Sequence, residues 1–325
     1  MKKKISIVVC LYICFSLLLF ASASNYTMVN SGVSYQYIGT YSIKQLNEIL
    51  TTQLSSDFIA RPTPVKFELA QNSVKLYRVK YHSIIPEQNN KPTVASGLIA
   101  IPNTGKKSYP VVSYQHGTVF TKYEVPSNIE DSMETKLEVA NFAGNGYILV
   151  AADYFGKGIS SEPDSYMVKE STAQACFDML KASQEVLNSM GISQTQLFLS
   201  GWSQGSWCTN VFRKRLETLS IPVTAAGMAA TPNDPYLVML RWIDNPSDSD
   251  AQWTVGCAAL FVESYEHNYD LPGLTKEAVK PEYYQTVSDF YSNKVTWAQA
   301  SKILPQHPES PRNYNEEIGL TPKAV

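Results

Sequence analysis

The chain has 325 residues, 44% of them hydrophobic, and carries 27 Lys+Arg against 29 Asp+Glu. That apolar share with a net charge of −2 excludes a disordered chain, and 16 Gly with 18 Pro exclude collagen-like and low-complexity classes. Beyond the Lys2-Lys3-Lys4 start, basic runs occur at Lys106-Lys107 and Arg213-Lys214-Arg215, which read as solvated faces, so no nucleic-acid footprint is present. A chain near 300 residues buries about 75% of its unfolded surface, enough for one large core.

Residues 1–23 read as an address. Lys2, Lys3 and Lys4 precede an apolar run from Ile5 to Phe20, and Ala21-Ser22-Ala23 supplies the small-x-small pattern of a signal peptidase site. The run of 16 residues is short of the roughly 20 that a membrane span needs, and no later segment reaches that length. A secreted or periplasmic protein with a bacterial-type signal peptide is expected, with no stable membrane span after cleavage. Cys176, Cys208 and Cys257 then remain; three is odd, so at least one thiol is free or pairs between chains, and one bridge is open.

In chain order, residues 24–65 are polar and aromatic, with a helix expected from Ser42 to Thr52. Lys75 to His82 alternates as a half-buried strand does, and Thr93 to Ile101 reads as its partner. Val111 to Tyr114 is a buried-type strand that runs into Gln115-His116-Gly117-Thr118. A helix is expected over Asn128 to Ala143, stopped by Gly144-Asn145-Gly146. Tyr147 to Ala152 is a second buried strand, ending at Asp153. Ser171 to Met190 is helical. Gln196 to Ser200 is a third such strand, leading into Gly201-Trp202-Ser203-Gln204-Gly205, and a helix continues to Leu219. Val223 to Ala230 makes a fourth. Strands alternating with helices predict an α/β fold: a doubly wound, mainly parallel sheet whose ligands sit at the carboxyl ends of the strands. Pro235 to Leu304 is rich in Tyr and Trp and reads as a helical cap over the sheet edge. The chain thus divides into a signal peptide (1–23), a core (24–234), a cap (235–304) and an irregular C-terminal segment (305–325).

The chemistry-bearing stretches fall at strand ends. Gly201-Trp202-Ser203-Gln204-Gly205 fits G-x-S-x-G between a strand and a helix, the context in which Ser203 occupies a tight turn with its hydroxyl exposed. The glycines Gly201 and Gly205 allow close strand–helix approach. The Gln204 N–H, with one from the loop at Thr118, can hold an oxyanion. His116 precedes Ser203, whereas a base in this arrangement follows it, so His116 reads as a loop anchor. No His, Cys, Asp and Glu cluster has metal spacing, and no Walker loop or G-x-G-x-x-G is present, so no metal or cofactor is expected. The aromatic cap, with Trp242 and Trp253, reads equally as an acyl pocket wall or as packing within the cap.

On His116-Gly117-Thr118, on Asp153-Tyr154-Phe155-Gly156-Lys157-Gly158-Ile159-Ser160 and on Gly201 to Gly205, the chain resembles the α/β-hydrolase superfamily, in particular bacterial secreted esterases and lipases of the secretory-lipase kind. The resemblance covers about residues 75–235. It implies hydrolysis of a small-molecule or lipid ester through an acyl-enzyme on Ser203, with Asp153 and the glycines Gly156 and Gly158 shaping their loop, Asp153 not being the triad acid. It also implies two further strands after the cap, carrying the acid and the base. Only 122 residues follow Ser203, and no such strands are legible among them. Asp234 is the internal candidate for the acid and His307 for the base, ahead of His267, Asp270 and Asp289. Three readings follow: a serine hydrolase whose C-terminal strands are missing, a complete enzyme with Ser203, Asp234 and His307, or a non-catalytic binding protein on this fold. A peptidase would use the same apparatus.

Overall fold

The computed structural model describes residues 25–53, 66–244, 247 and 250–305. The signal segment and His307 lie outside them. Two short N-terminal strands, β1 (Thr27–Met28) and β2 (Val33–Tyr41), lead to helix α1 (Ile43–Glu48). Ser42 opens α1 with a capping box, its hydroxyl accepting from the Gln45 N–H while the Gln45 side chain accepts from the Ser42 N–H. The helix expected to Thr52 continues from Ile49 to Gln53 as a π-type turn. Strands β3 (Val74–Ile85) and β4 (Lys91–Pro102) form a long hairpin. Then follow β5 (Ser108–Gln115), α2 (Met133–Asn141), β6 (Ile148–Ala152), α3 (Lys169–Ser189), β7 (Ser193–Trp202), α4 (Gln204–Thr218) and β8 (Ala225–Ala229).

The helix expected over Asn128–Ala143 is instead two pieces. A 3-10 segment, Pro126–Asp131, ends at Ser132, whose extended backbone (φ −112°, ψ 98°) starts α2 afresh. The Ser132 hydroxyl accepts the Thr135 N–H, so a local cap wins over continuous helix.

Among the described residues the sheet has eight strands in the order β1-β2-β3-β4-β6-β5-β7-β8. It is mixed, which corrects the mainly parallel expectation. The pairings from β1 through β4 to β6 are antiparallel, and those of β6, β5, β7 and β8 are parallel. The reason is local: the short connection between β3 and β4 allows only a hairpin, whereas β5, β6, β7 and β8 are joined through helices. The unforeseen β2 pairs with β3, where Tyr35 and Tyr37 pack against Tyr77.

Strand alternation sorts the core into two layers. On β6, Ile148, Val150 and Ala152 face α3 and α4, meeting Cys176, Met179, Leu180, Cys208 and Phe212. Leu149 and Ala151 face α1 and α2, meeting Leu46, Val139 and Ala140. After β8 the chain forms α5 (Pro235–Asp244), α6 (Trp253–Asn268), α7 (Leu274–Ala278), α8 (Tyr284–Tyr291) and α9 (Trp297–Ala300). These helices have their own core, in which Leu260, Val262, Val287 and Phe290 are buried together with Tyr166 and Met167 of the loop between β6 and α3. No helix among the described residues is long and apolar enough to cross a membrane. The three cysteines among the described residues, Cys176, Cys208 and Cys257, are buried and free.

Candidate functional site

Ser203 is the single residue between β7 and α4, and its backbone is strained, with φ 54° and ψ −123°. For a residue with a Cβ this conformation costs of order 1–3 kcal/mol and persists only when its surroundings impose it. Those surroundings are visible. The Ser203 N–H donates to the Ala229 carbonyl at 2.9 Å, tying the turn to the end of β8. A Cβ on Gly201 would lie 2.3 Å from the Gly205 oxygen, and one on Gly205 would lie 1.9 Å from the Gln115 oxygen. Helix α4 therefore sits directly on the ends of β5 and β7. Thr209 Oγ1 locks the same junction by donating to Gln115 Oε1 at 2.9 Å.

The loop after β5 lies beside this turn. The Gly117 N–H donates to Glu134 Oε1 at 2.7 Å, and the Tyr114 hydroxyl donates to the same carboxylate oxygen. Thr118 Oγ1 is 3.2 Å from the Tyr166 hydroxyl. Lys157 Nζ donates to the Val119 carbonyl at 3.3 Å and sits 2.7 Å from Asp164 Oδ2, a buried ion pair. The loop is thus held at three successive residues, 117, 118 and 119.

His116 is buried and stacked on Tyr154, with centroids 4.2 Å apart. Burial pushes its pKa down to about 4, so the ring is neutral at pH 7. A neutral imidazole donates once; the shorter contact, Nδ1 to the Gly117 carbonyl at 2.8 Å, assigns the proton to Nδ1. His116 is thus tied to its own loop through Gly117, with Nε2 lying 3.3 Å from the Asp153 carbonyl. Asp153 is likewise buried inside the core: Oδ1 accepts the Ser127 N–H at 2.8 Å and Oδ2 accepts the Ser96 hydroxyl. Burial raises its pKa, while the Ser127 and Ser96 bonds pull the other way. A Cβ on Gly158 would lie 2.2 Å from Asp153 Oδ2, so the glycine-rich turn closes over the carboxylate.

Ser203, Gln204 and Thr118 line one cavity of about 270 Å³, roofed by Tyr166, Met167 and residues of α5 and α6. Three of its lining residues, Met167, Ser203 and Ala230, hold φ between 53° and 56° although none is glycine. Strain of this kind gathers at functional sites.

The remaining candidates lie elsewhere. Asp234 is exposed and starts α5; its Oδ1 accepts the Leu237 N–H at 3.1 Å. Asp270 and Asp289 belong to the C-terminal helical region and do not line the cavity. His267, on α6, places Nδ1 2.8 Å from the Glu263 carbonyl and stacks on Tyr291. No histidine among the described residues lines the cavity at Ser203. No group of three or more His, Cys, Asp and Glu among the described residues is placed to hold a metal ion.

Sequence reasoning missed Glu134, Tyr166 and the Lys157–Asp164 pair, all of which hold the 117–119 loop. A weak signal existed for Glu134, which is the acid of the first turn of a Ser-capped helix. Nothing in the sequence points it at Gly117.

No protein-family model matches the chain, nor does any curated protein. Solved structures do. A protein of Legionella pneumophila assigned as a hydrolase is 24% identical and superimposes with a TM-score of 0.74, covering 89% of this chain and 73% of its own. The rice cell wall degrading esterase LipA from Xanthomonas oryzae, 20% identical, gives 0.70 over 89% of this chain and 72% of its own. Candida antarctica lipase A, 12% identical, gives 0.58 over 86% of this chain and 59% of its own. At these identities the likeness is one of fold: the chain has the α/β-hydrolase fold, with a mixed sheet.

Proposed function

We propose that the chain is a serine hydrolase of carboxylic esters that works through an acyl-enzyme on Ser203. The observation that carries this is the strained Ser203 at the N-terminus of α4, in an apolar cavity shared with Thr118 and Gln204. Ser203 Oγ attacks the ester carbonyl and gives up its proton. The N–H groups of Gln204 and Thr118 hold the oxyanion, helped by the positive end of α4. The alcohol leaves with a proton, and water then releases the acid from Ser203.

Asp234 and His307 are the proposed acid and base, and an ester, small or lipid-like, is the proposed partner. Secretion after cleavage at Ala23 belongs to the same proposal and is tested by N-terminal sequencing of the exported protein. The second reading is a non-catalytic binding protein, favoured by the lack of a histidine at the cavity among the described residues.

The deciding experiment is labelling of the purified chain with a fluorophosphonate, with Ser203→Ala as control. Labelling that Ser203→Ala abolishes supports an activated serine. A folded chain that stays unlabelled favours the binding protein, because loss of the base leaves only the small residual rate that oxyanion stabilisation supplies.

A further inference from the structure

The cavity above Ser203 has a length as well as a volume. Pro235, Val238, Met239 and Trp242 all line it, a spacing of three, four and seven residues that is one face of α5. Pro235 adjoins Pro232 and Thr231, which follow the β8 end that receives the Ser203 N–H. From Pro235 to Trp242 the helix rises roughly 10 Å. There Trp242 meets Trp253 of α6 edge to face, with centroids 6.1 Å apart at 83°.

No charged side chain among the described residues lines the cavity. Its hydroxyls at Thr118 and Tyr166 face each other, and burial pushes the Cys257 thiol up to about 11, so it is neutral. An ionised group in this space would lack a counter-charge, which strongly favours an apolar occupant. A cavity of about 150 Å³ takes a benzene ring, so a cavity near twice that volume holds roughly eleven non-hydrogen atoms. The three atoms of an ester group leave about eight for a tail, in keeping with the rise along α5.

We propose that this cavity is a slot for an unbranched, uncharged acyl chain of about eight carbons, and that the Trp242–Trp253 pair is the wall that ends it. The catalytic meaning of the slot rests on the serine-hydrolase reading; its binding chemistry does not. The test therefore reads binding without turnover. The full chain is titrated calorimetrically with 1-alkanols from butanol to dodecanol, and fluorophosphonate labelling of Ser203 is followed separately. Affinity is expected to rise about fourfold per methylene and to level off near eight carbons.

Trp242→Ala should move that plateau to longer chains, and Trp242→Phe should move it less, keeping the test open if the alanine variant does not fold. A wild-type rise that continues to dodecanol, or a plateau that neither variant moves, overturns the assignment. A correct ladder on an unlabelled chain sinks the hydrolase reading and leaves the slot; labelling without a ladder sinks the slot alone.

Discussion

Glu134 and Glu138 lie one turn apart on α2 and line a second cavity, of about 340 Å³, beside Trp202 of the β7–α4 turn. Glu134 receives two hydrogen bonds, from Gly117 and Tyr114. Burial, with the Glu134 charge second, pushes the Glu138 carboxyl from an ordinary 4.5 up to about 8. Glu138 therefore holds a proton near neutrality, while burial also raises the Glu134 carboxyl. The sign follows from linkage: the folded state binds more protons than the unfolded state between these values, so stability falls as pH rises. The contribution is fully present below about 4.5 and is lost as pH passes through about 8. The full rise sets a ceiling of roughly 5 kcal/mol. Solvent reaches this half-buried group, which screens its charge and brings the working figure to about 1–2 kcal/mol. Glu138→Gln removes the titration and nearly keeps the shape. Thermal unfolding followed by circular dichroism should give equal midpoints for variant and wild type at pH 5. At pH 8.5 the variant should melt about 2–3 °C higher. Asp153, Glu263 and the neighbouring Glu134 are also raised by burial, so the difference between variant and wild type reads the Glu138 titration together with its coupling to Glu134. A variant that is equally destabilised at both pH values would refute the reasoning, since Glu138 would then be ionised and paired.

Two further outcomes follow from the same site. Gly205→Ala would ordinarily gain helix propensity, but its Cβ would meet backbone atoms of Gln115 and His116 at 1.9–2.7 Å. A loss of about 3 kcal/mol or more is expected in urea unfolding, against no loss for Gly227→Ala, whose Cβ meets nothing within 4 Å. Glu134→Ala leaves the Gly117 N–H and Tyr114 hydroxyl without their acceptor, at about 1–3 kcal/mol each, and should slow fluorophosphonate labelling of Ser203. Glu134→Gln keeps an acceptor and should recover most of both; equal loss in the two variants would show that charge, not the hydrogen bond, is what matters.

The parallel half of the fold was legible because its signals are local. Val111 to Tyr114, Tyr147 to Ala152 and Gln196 to Ser200 are short apolar runs that end in turn-forming residues, and each becomes a strand of the sheet. Ser203 was legible for the same reason, since two glycines flank it at the spacing a tight strand-to-helix turn needs. Of the antiparallel half, the β3–β4 hairpin was legible from its alternation, but β2 was not. β2 reads Val-Ser-Tyr-Gln-Tyr-Ile-Gly-Thr-Tyr, a half-exposed strand whose aromatic residues pack on β3 rather than in a continuous core. Its partner lies some 40 residues on, beyond any local pattern. Glu134 escaped for a related reason: its function comes from a contact 17 residues away that only the folded loop creates.

The division of labour in the cavity follows from where its residues sit in the chain. Ser203, Gln204 and Thr118 come from strand ends whose backbone is fixed by glycine packing and ladder bonds. The apolar wall comes from α5 and α6, which have their own core. Such an arrangement lets the wall change without disturbing the serine, provided that the two parts keep their relative position. One residue secures that position. The Asp164 carbonyl accepts from Tyr291 Oη at 2.6 Å, Ser264 Oγ at 3.0 Å and Asn268 Nδ2 at 3.1 Å, all from the C-terminal helices. The Asp164 carboxylate meets Lys157, which in turn holds the Val119 carbonyl next to Thr118. Three successive links, through the Asp164 carbonyl, the Asp164–Lys157 pair and the Val119 carbonyl, thus run from α6 and α8 to the loop that would hold the oxyanion. Both charges of the pair are buried, and a buried charge that loses its partner costs about 3–5 kcal/mol. A shift of the roof large enough to separate them is therefore disfavoured, and the wall stays in register with the serine below it.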